Sequence, residues 1–264
     1  MIASMMDIKA KARLFVSDTL KSTAEINVTA YQAHYLLRVL RAKKDDHIIL
    51  FNGYDGEWAS VIKKVTKKNC RLRVKKQLRK QHIESDLWLA FAPLKKTKTD
   101  FVIEKASELG VSRLIPVFTE NTNTSRVNAE RLRIIAIDSA EQCDRLTVAD
   151  VTEPMTFAEL LNQWPNQRHL LVPDETGGGK PIKLVLENMQ LSPQGILIGP
   201  EGGFARSELD ALKTLSFVTL VSLGPRILRA ETAAIATLAC YQAAYGDWNK
   251  KPRFNDGYTF NARK

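Results

Sequence analysis

Cysteine and histidine are scarce in this chain. Three cysteines, Cys70, Cys143 and Cys240, lie far apart with no CxxC pair, which excludes a disulfide framework and a zinc knuckle. Four histidines are present and none forms HExxH, so no metal site is expected. No apolar run approaches the roughly 18 residues needed to cross a bilayer. The N-terminal MIASMMDIKAKARLF has no apolar core and no cleavage site of a secretory signal. GxGxxG is missing, and so is GxxxxGK[ST]. Gly177-Gly178-Gly179-Lys180 runs into Pro181 and fails as a phosphate loop. The absences leave a soluble protein of a reducing compartment, most simply the cytoplasm, without membrane or metal partners.

The charge that is present is unevenly placed. Net charge is +10 over 264 residues. Residues 1–80 carry 18 Lys and Arg against 7 Asp and Glu, a net of +11, and the remaining residues are close to neutral. A basic first third favours an anionic partner, of which nucleic acid is the usual one. A merely soluble basic face is the plainer alternative.

The two regions follow different patterns. Residues 1–80 read as a small basic β domain. RLFV (13–16) forms a short strand, and residues 29–41 form one helix capped by Thr29. Two β-rich runs flank Gly53-Tyr54-Asp55-Gly56 as a hairpin. Residues 70–78 alternate apolar and basic side chains, which suits either RNA contact or an edge strand guarded by charge. From residue 81 to 248 strands and helices alternate, with apolar strands at 87–94, 113–118, 168–174, 195–201 and 217–224. Helices fit 97–110, 128–143, 205–215 and 231–246. That order predicts an α/β fold with a largely parallel, buried sheet. Residues 249–264 read as a polar tail.

Ligands of such sheets bind at the carboxyl ends of strands. Two loops there are unusual. Ile198-Gly199-Pro200-Glu201-Gly202-Gly203-Phe204 joins an apolar strand to a helix. Its paired glycines permit close backbone approach to a ligand, or simply make a tight turn. Leu223-Gly224-Pro225-Arg226-Ile227-Leu228-Arg229-Ala230-Glu231 also joins strand to helix. Arg226 and Arg229 suit a shared ligand, or an ion pair with Glu201 or Glu231. Glu231 in a first helical turn has a purely structural role available, since the helix dipole favours it.

Together, ILIGPEGGF (196–204) and SLGPRILRAETAA (222–234) resemble the RsmE family, bacterial enzymes of the SPOUT class that methylate N3 of a uridine in 16S ribosomal RNA. HYLLRVLR (34–41), KASELGV (105–111) and AEQCDR (140–145) extend the resemblance in order, so that it spans most of the chain. The chain departs from the family pattern at Ala230, Cys143-Asp144 and Ala149. The resemblance implies an N-terminal PUA-like β-barrel that binds RNA. It implies next a parallel sheet tied in a trefoil knot, through which the family forms homodimers. The expected cofactor is S-adenosyl-L-methionine, held by Val172, Pro173, Ile198, Gly199, Pro200, Glu201, Gly202, Gly203, Leu223, Gly224, Ile227 and Leu228. The substrate is 16S rRNA or the small ribosomal subunit.

Methylation at N3 requires alignment of nucleophile and methyl group, loss of the N3 proton, and positive charge near the uracil oxygens. Arg229 is the leading candidate for that charge, with Arg145 or Arg126 in support; Glu231 or Glu201 could take the proton, although Glu201 reads better as a loop anchor. Arg13, Arg38, Arg41 and Arg126 are candidate RNA contacts, of the kind that position a nucleic acid without reading its bases. Cys143 is expected to be inert packing, because N3 chemistry needs no thiol adduct. A non-catalytic RNA-binding protein on the same scaffold would need the basic domain but not the two intact loops.

Overall fold

The alternation of residues 70–79 sets the first sheet: Cys70, Leu72 and Val74 point into a core, and Arg71, Arg73 and Lys75 point to solvent. The computed structural model describes residues 10–66, 69–82, 84–189 and 192–250, and divides into two units. The expected polar tail lies outside the described residues apart from Asn249 and Lys250.

The first unit runs to residue 83 and takes in Ala140–Thr147. Its strands are β1 (Ala12–Phe15), β2 (Glu25–Asn27), β3 (His47–Phe51), β4 (Glu57–Val65) and β5 (Cys70–Arg79), ordered β1-β3-β4-β5-β2. β1 and β3 are parallel and the other pairs antiparallel. β5 is therefore not an edge strand, because the three residues of β2 pair with Arg71–Arg73. Its basic face is the solvent face of an interior strand.

Thr29 caps α1 (Ala30–His34) in a reciprocal capping box with Gln32, and Gln32 Nε2 also donates to the Phe15 carbonyl at 2.6 Å. The expected single helix instead widens into a π-type turn over Tyr35–Val39, with Leu40 N–H bonded to the Tyr35 carbonyl. The turn keeps Leu36 fully buried while Arg38 and Val39 face solvent.

A buried ion cluster ties Ala140–Thr147 into this unit. Arg13 Nε donates to Glu57 at 2.6 Å, Arg79 Nη2 to the same oxygen at 3.1 Å, and Arg79 reaches Asp144 at 3.4 Å. Arg13 also donates to the Ala140 carbonyl at 2.8 Å and to the Arg145 carbonyl. Asp144 takes a left-handed φ of 66°, which aspartate tolerates better than most residues.

The second unit carries the other strands: β6 (Leu87–Phe91), β7 (Arg113–Phe118), β8 (Asp150–Val151), β9 (Met155–Thr156), β10 (His169–Pro173), β11 (Lys180–Pro181), β12 (Gln194–Ile198) and β13 (Val218–Ser222). The order is β11-β13-β10-β12-β6-β7-β8, every pair parallel, with β9 extending the β7 edge. Helices α2 (Lys96–Glu108), α3 (Ala129–Gln142), α4 (Phe157–Gln163), α5 (Ile182–Glu187), α6 (Arg206–Thr214) and α7 (Ala230–Ala244) complete the chain.

Both faces of this sheet are covered, which is why its strands read as unbroken apolar runs. Leu171, Ile196 and Ile198 pack into one cluster with residues of α2, α3, α5 and α7. Leu170, Val172 and Leu197 pack on the other face, among residues of α4 and α6. Short α4 was not anticipated, although Thr156 and Glu159 form the T-x-x-E capping box that announces it. α5 begins only at Ile182, because Pro181 is still extended and pairs with β13. Among the described residues, no helix is long and apolar enough to cross a membrane.

Candidate functional site

Strand order brings the site together. β13 is the last strand among the described residues, yet it lies beside β10, and β10 lies beside β12. The carboxyl ends of these three neighbours open into one cleft of about 410 Å³. Its walls come from Pro173–Gly177 after β10, Ile198–Gly203 after β12, and Ser222–Ala230 after β13, with Ala233 of α7.

Every residue expected to hold the cofactor lines this cleft except Val172. Val172 is fully buried in the sheet core one position earlier. Asp174, Glu175 and Thr176 also line it, within the 172–177 loop that the family resemblance places at the pocket but not among the residues singled out individually. Nothing in their spacing distinguishes them from an ordinary acidic turn.

Each loop is braced. Asp174 accepts from the Thr176 N–H and hydroxyl, both at 2.9 Å. Gly203 has φ +70°, a left-handed backbone conformation that favours glycine. Asn121 Nδ2 donates to the Gly203 carbonyl at 3.1 Å. Glu208 of α6 accepts from Ala205 N–H and Glu120 N–H, both at 2.9 Å, joining the Thr119–Asn121 turn to the start of α6. Gly224 turns the third loop with φ +102° and has open space around its Cα, so its conformation rather than crowding calls for glycine. Asn121, in the polar loop that follows β7, thus supports the cleft wall.

Arg229 is the N-cap residue of α7, is exposed, and lines the cleft. The expected pairing of Arg226 or Arg229 with Glu201 or Glu231 is not what forms. Lys98 of α2 takes both carboxylates, lying 3.2 Å from Glu231 Oε1 and 3.8 Å from Glu201 Oε1. Glu231 does not line the cleft. Its second oxygen, Oε2, is buried and lacks a hydrogen-bond partner among the described residues. One Glu231 oxygen thus faces Lys98 and the other is shielded, an arrangement that anchors the head of α7.

The remaining expected site residues divide sharply. Arg13 is a correction: its side chain is 1% exposed and its donors are engaged by Glu57 and two backbone carbonyls. No face is left for a phosphate. Arg145 belongs to the first unit, not to the unit that carries the cleft, and is buried, with Nη2 donating to Thr147 Oγ1 at 3.2 Å. Arg38, Arg41 and Arg126 are exposed. Among the described residues no group of three or more His, Cys, Asp or Glu is arranged to hold a metal ion.

A profile of the RNA methyltransferase domain matches residues 81–242, and one of the RNA methyltransferase PUA domain matches residues 28–75. A ribosomal RNA small subunit methyltransferase E from Rickettsia conorii is 35% identical over 228 residues, covering 86% of this chain and 93% of that protein. The chain belongs to the ribosomal RNA small subunit methyltransferase E family. The crystal structure of a family member from Neisseria gonorrhoeae, bound to S-adenosyl methionine, is 25% identical with a TM-score of 0.78. It covers 90% of this chain and 99% of that one. A methyltransferase from Legionella pneumophila in complex with the same cofactor is 26% identical, with a TM-score of 0.77 over 88% of this chain and 97% of that one. The family fold is thus a PUA domain followed by the parallel α/β domain that carries the cleft.

Proposed function

We propose that this protein methylates N3 of a uridine in 16S ribosomal RNA, using S-adenosyl-L-methionine, and does so in the cytoplasm as a homodimer joined through a trefoil-knotted second unit. The observation that carries the reading is the single cleft formed by the three loops after β10, β12 and β13, with Arg229 at its edge.

The residues present fit the cofactor. The cleft volume of about 410 Å³ lies within the range of small-molecule sites, about 300–1,000 Å³. Pro173, Ile198, Leu223, Ile227 and Leu228 offer apolar surface, and the backbone around Gly199, Gly202 and Gly224 is unobstructed by side chains of its own. Asp174, Glu175 and Glu201 supply negative charge suited to a cofactor carrying sulfonium and ammonium groups. When bound, S-adenosyl-L-methionine supplies an electrophilic methyl group.

What the chain must add is alignment and charge. Neutral uridine has no free lone pair on N3, so its proton must pass to solvent as the new bond forms. Negative charge then spreads onto O2 and O4. The Arg229 guanidinium, fixed at the head of α7, stabilises that charge and makes N3 more acidic. Glu231 and Lys98 keep the head of α7 in place. Exposed Arg38, Arg41 and Arg126 contact phosphates and set the position of the RNA.

The deciding experiment is methyl transfer from labelled S-adenosyl-L-methionine to small ribosomal subunits from cells lacking this gene, followed by nucleoside mass spectrometry. The expected product is one new 3-methyluridine. A methylated nucleoside of another kind would overturn the N3 assignment. Cofactor binding without transfer would point to a different RNA target, and failure of both binding and transfer would favour a non-catalytic RNA-binding role.

A further inference from the structure

We propose that Lys98 is a positioning residue that clips two of the three cleft loops together before a ligand arrives. The proposal rests on the cleft being the cofactor site, and its physical part is independent of turnover.

Lys98 stands on a rigid base. The start of α2 is locked to the end of β6 by Thr99, whose hydroxyl accepts from Leu94 N–H at 2.9 Å and lies 3.0 Å from the Leu94 carbonyl. The far end of α2 is tied to α7, where Gln242 Nε2 donates to the Leu109 carbonyl at 2.6 Å. From this base one ammonium reaches Glu231 at 3.2 Å and Glu201 at 3.8 Å. Glu201 belongs to the loop after β12, and Glu231 follows directly on the loop after β13. A single side chain from a third element therefore spans both.

Removing that charge has a definite consequence. The two carboxylate oxygens lie within about 7 Å of each other, the sum of their distances to Lys98, and without it they repel. Glu231 is the more sensitive of the two, since its side chain is 14% exposed and Oε2 has no hydrogen-bond partner among the described residues. A carboxylate so buried loses its compensating charge and must swing toward water. Glu231 sits two residues after Arg229 in the first turn of α7, so its departure loosens the loop that carries Arg226, Ile227 and Arg229. The clip thus supplies preorganisation, which strengthens binding by removing an ordering cost rather than by adding a contact.

Two measurements on the full-length chain test this. In the first, without any ligand, tryptic cleavage after exposed Arg226 and Arg229 is followed by mass spectrometry. K98M is expected to be cut several-fold faster than wild type at these bonds and equally fast at Arg38 and Arg41, and K98R is expected to retain most of the protection. In the second, calorimetry with S-adenosylhomocysteine is expected to show up to about fivefold weaker binding for K98M. K98M and E231Q remove the same ion pair, so K98M/E231Q should lose no more than K98M alone. Wild-type cleavage and wild-type affinity in a folded K98M would overturn the proposal, as would additive losses in the double variant. Should K98M fail to fold, E231Q serves in its place, and unchanged cleavage in E231Q overturns the clip. If wild-type protein itself does not bind S-adenosylhomocysteine, the cofactor reading fails, and the cleavage rates still decide whether Lys98 holds the loops.

Discussion

Replacing Arg13 by methionine separates a structural arginine from an RNA contact. The Arg13 side chain is 1% exposed and lies 3.8 Å from the Phe51 ring centroid, so methionine retains much of the packing. What is lost is polar. The Ala140 and Arg145 carbonyls lose a donor, at about 1–3 kcal/mol for each group left without a substitute. Breaking a buried ion pair costs about 3–5 kcal/mol when the partner charge is stranded. Here Glu57 keeps Arg79 at 3.1 Å, which reduces that penalty. These contributions overlap, and a net loss of roughly 4 kcal/mol follows. For a protein of this size that lowers Tm by about 8–16 °C. The assay is urea unfolding followed by Trp58, the single tryptophan among residues 1–83, beside RNA binding at several salt concentrations. A phosphate contact predicts the reverse: stability within about 0.5 kcal/mol of wild type, and a salt slope reduced by about 0.7–0.9. An unchanged unfolding midpoint with weakened RNA binding would refute the structural assignment.

Other variants address the chemistry. Arg229→Ala is expected to lower methyl transfer by about 10²–10³ while S-adenosylhomocysteine still binds; normal turnover would remove Arg229 from the mechanism. Cys143→Ser should remain active, and complete loss of methyl transfer would favour covalent chemistry at C5 of the uracil ring instead. Burial holds the His169 pKa below its ordinary 6.5, in contact with Thr219 Oγ1 at 2.8 Å. The folded state therefore disfavours the protonated ring. This contribution to stability is full above about pH 6.5 and is lost as pH falls below that value. His169→Gln should flatten the acid limb of a Tm-against-pH curve; an unchanged limb would show that other groups set it.

The sequence by itself determined a good deal. Apolar runs and helical periods located the major strands and helices of the second unit, because a sheet covered on both faces must be apolar along whole strands. Thr29 marked the start of α1 through its cap with Gln32. Gly-rich loops after strands marked the candidate site, since a backbone that must approach a ligand excludes side chains. Elements of two or three residues, such as β2, β8 and β11, left no periodic signal, being shorter than any repeat that could reveal them.

Tertiary structure decided the rest. A run of residues says that a strand exists but not which strand lies beside it, and the cleft depends on β13 entering next to β10. Charge type gave no guide to role. Arg13 and Arg229 read alike as free cations, yet one is sealed beside Glu57 and the other is exposed at the head of α7. Glu231 read as a proton acceptor or an anchor, and only folding puts Lys98, more than 130 positions earlier, 3.2 Å from it. Burial and partnership are properties of packing across distant segments, so they become legible only when the chain has folded.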